Sequence, residues 1–137
     1  MGKIVNLTEA VSIAFHTMII IAQQGHNGQV NVNFLAEKTS SSKFHISKVM
    51  QKLVKDGFLG SHRGPAGGFF LAKEPERITL LNIYEAIEGK LEITKCPMNR
   101  PICPFNTCLF EGVTIKMTRD FHNFISDHTL AYYLERK

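Results

Sequence analysis

The sequence predicts a mainly α-helical fold with one small β-hairpin, and three observations carry that prediction. Apolar residues recur at helical spacing in several windows, and Ser, Thr or Asn residues stand ahead of them as capping residues. The stretch "SHRGPAGGFFLA", residues 61–72, places a proline and three glycines between two short runs, which is typical of a hairpin. Apolar residues make up 44% of the chain and charged residues 20%, as in ordinary folded domains.

The first ninety residues supply most of these elements in a fixed order. Capping residues set the helix starts, and Gly57 ends the third helix at a position that tolerates a left-handed turn. We expect helices at Thr8–Gln24, at "FLAEKT" after the cap Asn33, at Lys43–Asp56 and at Leu80–Glu88 after the cap Thr79, and hairpin strands at Gly60–Arg63 and Phe69–Ala72. The third helix has one apolar stripe, formed by Ile46, Val49, Met50 and Leu53.

Helix, short turn, helix and glycine-tipped hairpin follow one another in the order of a winged helix-turn-helix. In that architecture the second helix of the pair fits the DNA major groove, with its first turns nearest the base edges. An arginine on the wing can reach the neighbouring minor groove, where the potential is most negative. Phe69 and Leu71 then pack the wing onto the core. The residues expected to contact DNA are Ser42, Lys43, His45, Ser47, Lys48, Lys52, Arg63 and Gly64.

The distribution of charge favours a polyanionic partner. The chain carries a net charge of +4, and residues 33–73 hold seven Lys or Arg against two Asp or Glu, a local charge of +5. A solvated helix face could give the same count, so the charge supports the DNA prediction without deciding it.

The C-terminal part predicts a long helix with an apolar seam. Its seam residues step by four, three, four and three, and Val113 and Ile125 widen it. Such a seam is buried either against a second copy of the chain or against the first helix of its own chain, and we expect the dimer. The predicted interface residues are Phe110, Thr114, Met117, Phe121 and Phe124. The chain then divides into a DNA-binding domain (1–90), a cysteine-containing sensor loop (91–109) and a dimerisation helix with a C-terminal tail (110–137).

Three cysteines lie in that loop with the spacing C-x6-C-x4-C: Cys96, Cys103 and Cys108. Three thiols cannot all pair, and a cytoplasmic chain has little use for structural disulfides. Three thiolates in one loop suit an iron–sulfur cluster or a zinc ion completed by a fourth ligand. A redox-active thiol set remains an alternative.

The run from Ile46 to Gly89 resembles the DNA-binding module of the Rrf2 family of bacterial transcription regulators. The wing "RGPAGGFFLA" and the following "ITL" match its hallmark, through Arg63, Gly64, Gly67, Gly68 and Phe69. The resemblance implies a homodimer on near-palindromic operators and, in the sensory members, an iron–sulfur cluster ([2Fe-2S] or [4Fe-4S]) held by three loop cysteines. The middle cysteine is displaced here by one residue. Relatives often have Tyr where this chain has His45, and Glu or Gln where it has Ser47 and Lys48. The operator sequence of this chain therefore cannot be inferred from those of its relatives.

The resemblance also suggests a fourth ligand. In one subgroup a carboxylate near the start of the first helix reaches the cluster from the partner subunit, and Glu9 stands at that position. In another subgroup a histidine follows the last cysteine by three residues, and here that residue is Glu111. His16 lies on the same helical face as Glu9. We expect Glu9 ahead of Glu111 and His16, while each also has a structural interpretation, as a helix-dipole carboxylate, a surface charge and a packed histidine.

Other classes of protein are disfavoured. The longest apolar run, residues 15–22, is too short to span a bilayer, and the first residues lack a secretion signal, so we expect a cytoplasmic protein without a membrane partner. No nucleophile stands with a base and an orienting acid, so we expect no enzyme. A module that docks another polypeptide through the helix-turn-helix is the remaining alternative.

Overall fold

The computed structural model describes residues 7–25, 30–65, 67–93, 96 and 103–135. These residues form helices around one two-stranded antiparallel sheet. In chain order the elements are α1 (Glu9–Gln24), α2 (Val32–Thr39), α3 (Lys43–Lys55), β1 (Leu59–His62), β2 (Gly68–Leu71), a 3-10 turn (Pro75–Arg77), α4 (Leu80–Glu88), α5 (Val113–Asp127) and α6 (Leu130–Glu135).

Side-chain caps explain why the helices start where they do. The Thr8 hydroxyl accepts a hydrogen bond from the Val11 amide at 3.2 Å, and Ser42 accepts one from the His45 amide at 3.1 Å. Thr79 and Asn82 form a reciprocal capping box at α4. These helix starts agree with the sequence prediction.

The predicted start of α2 was wrong by two residues. Asn31, not Asn33, is the cap, and its side chain accepts a hydrogen bond from the Phe34 amide at 2.8 Å. Asn31 has an extended backbone, with φ −100° and ψ 175°, which a capping residue requires, whereas Asn33 already lies inside the first turn.

The core lies between α1, α3 and α4, and side chains of α2, β1, α5 and α6 complete it. The apolar stripe predicted for α3 is buried as expected, and Gly57 has the positive φ, 86°, predicted after that helix. The fully buried large side chains are Val11, Met18, Ile21, Val30, Leu35, Ile46, Met50, Leu53, Ile78, Ile83, Ile125 and Leu130.

The hairpin packs against the residue that precedes α2. Leu59 pairs with Leu71 and His62 with Gly68, so both strands lie one residue earlier than predicted. The Phe69 amide donates a hydrogen bond to the Val30 carbonyl at 2.8 Å, and Phe69 and Leu71 pack on the core as expected.

The C-terminal part folds back onto the rest of the chain. α5 begins at Val113 and packs on α4, where the Phe121 and Tyr84 rings meet edge to face at 5.7 Å. The residues expected as a tail form α6. The turn between α5 and α6 is joined to the start of α4 by two backbone hydrogen bonds of 2.9 Å. The Leu130 amide donates to the Ile78 carbonyl, and the Leu80 amide donates to the His128 carbonyl.

Within the described residues, none of the helices combines the length and the apolarity that crossing a bilayer requires.

Candidate functional site

The first two turns of α3 present a polar and cationic surface. Lys43, His45 and Lys48 are exposed, and Ser47 is half-buried beside them. The buried stripe of α3 faces the core, which leaves these residues at the outer side and the flanks of the helix.

Lys52, one turn further along, serves a different contact. Its Nζ donates a hydrogen bond to the Ile87 carbonyl at 2.7 Å, near the C-terminus of α4. A cation at that end of a helix offsets the partial negative charge of the terminal carbonyls. Lys52 therefore joins α3 to α4, unlike Lys48.

Sequence reasoning missed two exposed residues of α3. The Phe44 side chain is 64% exposed in the first turn, and the Lys48 Nζ lies 4.6 Å from the centre of its ring. Gln51, one turn later, is exposed as well. Helical spacing relative to the buried stripe could have identified both, because Phe44, Lys48 and Gln51 lie opposite Ile46 and Leu53.

The wing turn depends on glycine at two kinds of position. Gly64 has a φ of 99°, and its carbonyl accepts a hydrogen bond from the Gly67 amide at 2.9 Å. A β-carbon at Gly67 would lie 2.3 Å from the His62 carbonyl oxygen, so only glycine fits. Arg63 is exposed directly after β1, at the start of this turn.

A groove of about 320 Å³ separates the wing from the start of α2. Asn33, Ser61 and His62 supply polar side chains to it, and Gly64 forms part of its wall. The His62 ring stacks on Phe70 with 4.6 Å between centroids. Asn33, expected as a cap, thus lies exposed beside the wing.

Glu9 contacts the candidate reading helix. One carboxylate oxygen of Glu9 lies 3.3 Å from the His45 Nδ1, with side-chain exposures of 67% and 50%. The two residues line a small cleft of about 170 Å³ that Lys48 also borders. The neighbouring Thr8 hydroxyl donates a hydrogen bond to Glu88 at 2.7 Å, which ties the start of α1 to the end of α4.

The three cysteines follow α4 and are not joined by disulfide bonds. Cys96 is half-buried, and Cys103 and Cys108 are exposed, while residues 94–95 and 97–102 of this segment lie outside the described residues. Thiolate sulfurs with a carboxylate oxygen form a donor set that fits an iron–sulfur cluster or zinc. Across the described ranges, the structure gathers no three His, Cys, Asp or Glu side chains into a metal-binding group.

The two other candidate ligands lie apart from each other. Glu111 adopts a positive φ of 52° in the turn before α5, and its amide donates a hydrogen bond to the Cys108 carbonyl at 3.0 Å. The Nδ1 of His16 lies 2.6 Å from the Ser12 carbonyl, and the side chain is exposed rather than packed.

The predicted seam of α5 is divided between two sides of the helix. Thr114 is 5% exposed, and Phe121 packs on α4, so these two residues face their own chain. Phe110, Met117 and Phe124 are 39%, 53% and 52% exposed. Val113 extends this largely exposed apolar face, and the His128 ring stacks on Phe124 with 3.9 Å between centroids.

Comparisons with known proteins identify the fold. The solved structure of CymR, the global cysteine regulator of B. subtilis, superposes with a TM-score of 0.80 at 18% identity, covering 97% of this chain and 98% of that one. IscR of T. potens superposes with a TM-score of 0.74 at 24% identity, covering 96% and 87%. The winged helix-turn-helix predicted from the sequence is therefore confirmed.

Sequence comparison gives the same result. The transcriptional regulator IscR of Erwinia tasmaniensis is 26% identical over 125 residues, which cover 91% of this chain and 76% of the relative. The family model Rrf2, described as iron-dependent transcriptional regulator, matches residues 7–136. These matches agree with the wing turn and with the exposed polar surface of α3. The chain therefore belongs to the Rrf2 family of DNA-binding transcriptional regulators, which are not enzymes.

Proposed function

We propose that the chain is a homodimeric regulator whose operator binding is controlled by an inorganic group held at Cys96, Cys103 and Cys108. The observation that carries the proposal is the 3.3 Å contact between Glu9, the expected fourth ligand, and His45 of α3. If Glu9 also ligates the group, one carboxylate would link the candidate sensor to the candidate reading helix.

The DNA side of the proposal rests on α3 and the wing. The polar and cationic surface of the first two turns of α3 enters the major groove, where Lys48 contacts a guanine edge or a phosphate. Arg63, exposed at the wing turn, contacts the adjacent backbone or minor groove. Both cations lie in the region that carries a charge of +5.

The dimer rests on the outer face of α5. Phe110, Val113, Met117 and Phe124 expose a row of large apolar side chains, and such a row is typical of a surface that another protein covers. A second copy would bring two α3 helices to half-sites about one DNA turn, roughly 34 Å, apart.

The three cysteines, with Glu9 of the partner subunit as fourth ligand, are the residues that would hold an iron–sulfur cluster. A bound cluster would supply a linkage that responds to redox state or to small reactive molecules. The consequence for the chain concerns Glu9, because a carboxylate can ligate a metal through one oxygen and contact His45 through the other. Binding of a metal at Glu9 would then fix the position of the group that contacts the start of α3.

Zinc or thiol–disulfide chemistry is the second candidate, and the exposure of Cys103 and Cys108 favours it. Two exposed thiols are accessible to oxidants and to each other. Iron and sulfide content, measured against zinc under nitrogen, separates the two candidates.

Operator binding is tested by its dependence on salt. We expect the logarithm of the binding constant to fall linearly with the logarithm of salt concentration. Lys48→Ala and Arg63→Ala should each reduce the slope by about two, because each removes one phosphate contact from both subunits of the dimer. Lys52→Ala is the matched control, because Lys52 contacts the Ile87 carbonyl and its loss should leave the slope unchanged. A salt-independent interaction, or a binding partner that is a protein, would contradict the proposal.

The sensing part is tested with the exposed thiol of Cys103. Protein purified under nitrogen should absorb visible light, and Cys103→Ala should abolish that absorbance and alter operator affinity. Replacing an exposed residue should leave the thermal unfolding temperature nearly unchanged. Equal spectra and equal affinity for the two proteins would refute the sensing part and leave DNA binding standing.

A further inference from the structure

Phe44 is an aromatic side chain that the fold does not use. It lies in the first turn of α3 and is 64% exposed, whereas the apolar residues of the same helix, such as Ile46 and Met50, are fully buried. Leaving a phenylalanine in water forfeits the free energy that burying it would give. Its position therefore indicates a contact made outside the single chain.

The ring is held in place by its neighbours. The Lys48 Nζ lies 4.6 Å from the ring centroid, and the His45 ring lies 6.1 Å away in a tilted arrangement. Lys48 follows Phe44 by four residues, so the two side chains are stacked along one helix face. This face lies opposite the buried stripe, where a helix in the major groove meets the base edges.

The charges around Phe44 indicate which partner covers it. Lys43 is the sequence neighbour of Phe44, and the Lys48 Nζ lies over its ring. The first three helical turns of α3 carry no Asp or Glu, although Glu9 of α1 approaches His45. The outer face of α5, in contrast, presents four large apolar side chains, which suits another protein. A lone aromatic ring beside two lysines is complementary to a polyanion that exposes isolated apolar groups.

The DNA major groove offers one such group, the C5 methyl of thymine. We propose that Phe44 reads a thymine methyl in each operator half-site, with Lys48 placed on the neighbouring base or phosphate. The inference rests on the proposed operator binding and adds a base preference to it. Phe44 then determines specificity, while the surrounding cations supply most of the affinity.

The test removes the methyl from the DNA instead of altering the protein. Operators are first selected from a random duplex pool with the purified protein, and each thymine is then replaced in turn by deoxyuridine, which lacks only the methyl. We expect binding to weaken about fourfold at one thymine per half-site, the size of one buried methyl group.

The variants Phe44→Ala and Phe44→Leu connect that methyl to the side chain. Phe44→Ala should bind thymine and deoxyuridine operators equally, so the two changes are not additive, and Phe44→Leu should retain part of the discrimination. Leu7→Ala, a change at a 65% exposed apolar residue outside α3 and outside the cysteine segment, is the matched control and should discriminate as the unaltered protein does.

Two results would overturn the inference while operator binding stands. One is equal affinity for thymine and deoxyuridine at every position, and the other is unchanged discrimination in Phe44→Ala. Failure of the proposed function looks different, because the random pool would then yield no duplex bound in a salt-dependent way.

Discussion

The wing and the segment between α4 and α5 are both loops with glycine and proline, yet they are built in opposite ways. In the wing, the Gly67 amide donates a hydrogen bond to the Gly64 carbonyl, and the Phe69 amide donates one to the Val30 carbonyl, so backbone contacts determine its shape. The cysteine segment exposes Cys103 and Cys108 and leads into a helix whose outer face is apolar. The comparison teaches that contacts within one chain suffice to shape the wing, whereas the described residues of the cysteine segment and α5 present groups that suit the proposed second chain and inorganic ligand.

Breaking the dimer face should have the largest effect. Met117→Asp places a charge on the outer face of α5, where Met117 is 53% exposed, so the monomer should still fold. Losing two-site attachment should reduce operator affinity by on the order of a hundredfold or more. Light scattering checks the oligomeric state, and titration of a labelled operator checks affinity.

Asn123→Asp adds the same charge at an exposed residue of α5 that lies about 120° around the helix from Met117, so it is the control for this variant and should leave both measurements unchanged. A dimeric Met117→Asp protein with full affinity would show that the outer face of α5 is not the interface.

Disrupting the wing should have the next largest effect. Gly67→Ala introduces a β-carbon 2.3 Å from the His62 carbonyl oxygen, so the turn must open and Arg63 must shift. We expect operator affinity to fall on the order of tenfold to a hundredfold, the cost of one or two lost contacts. Gel filtration should show an intact dimer.

Gly112→Asn is the matched control, because Gly112 has a φ of 83° and a ψ of 0° in open space, and Asn tolerates that left-handed conformation. If Gly67→Ala bound the operator as tightly as this control, the shape of the wing would be irrelevant to recognition.

Removing the contact between Glu9 and His45 should have the smallest effect on operator affinity. Glu9→Gln removes the carboxylate that contacts His45, and also one negative charge beside the cations of α3. In protein without a metal we expect operator affinity to rise about twofold to fivefold, because exposed ion pairs are weak. Glu37→Gln, a change at an exposed residue of α2, controls for net charge. An equal rise in operator affinity in both variants would show that the contact of Glu9 with His45 has no specific effect on DNA binding.

The sequence predicted the elements whose cues are local. Caps, apolar periodicity and the wing glycines lie within a few residues of the feature they specify, so α1, α3, α4 and the hairpin were anticipated. Asn31 and Asn33 have the same capping chemistry, and only the backbone conformation distinguishes them. The starting residue of α2 was therefore beyond sequence reasoning.

Contacts between distant residues were harder to predict. The seam of α5 has the correct period, yet only packing shows that Phe121 turns to α4 while Met117 turns outward. The contact of Glu9 with His45 and that of Lys52 with Ile87 join residues far apart in sequence. Phe44 was overlooked because a single aromatic residue ordinarily belongs to a core.

The two backbone hydrogen bonds of His128 and Leu130 restrain α5 at one end. Its C-terminal end is fastened to the start of α4, while its N-terminal end follows directly from the cysteine segment. A helix of 15 residues is about 22 Å long, so a tilt of about 10° about the fastened end would move the N-terminal end by about 4 Å. Such a displacement would be largest beside the thiols and would diminish along the helix toward α4.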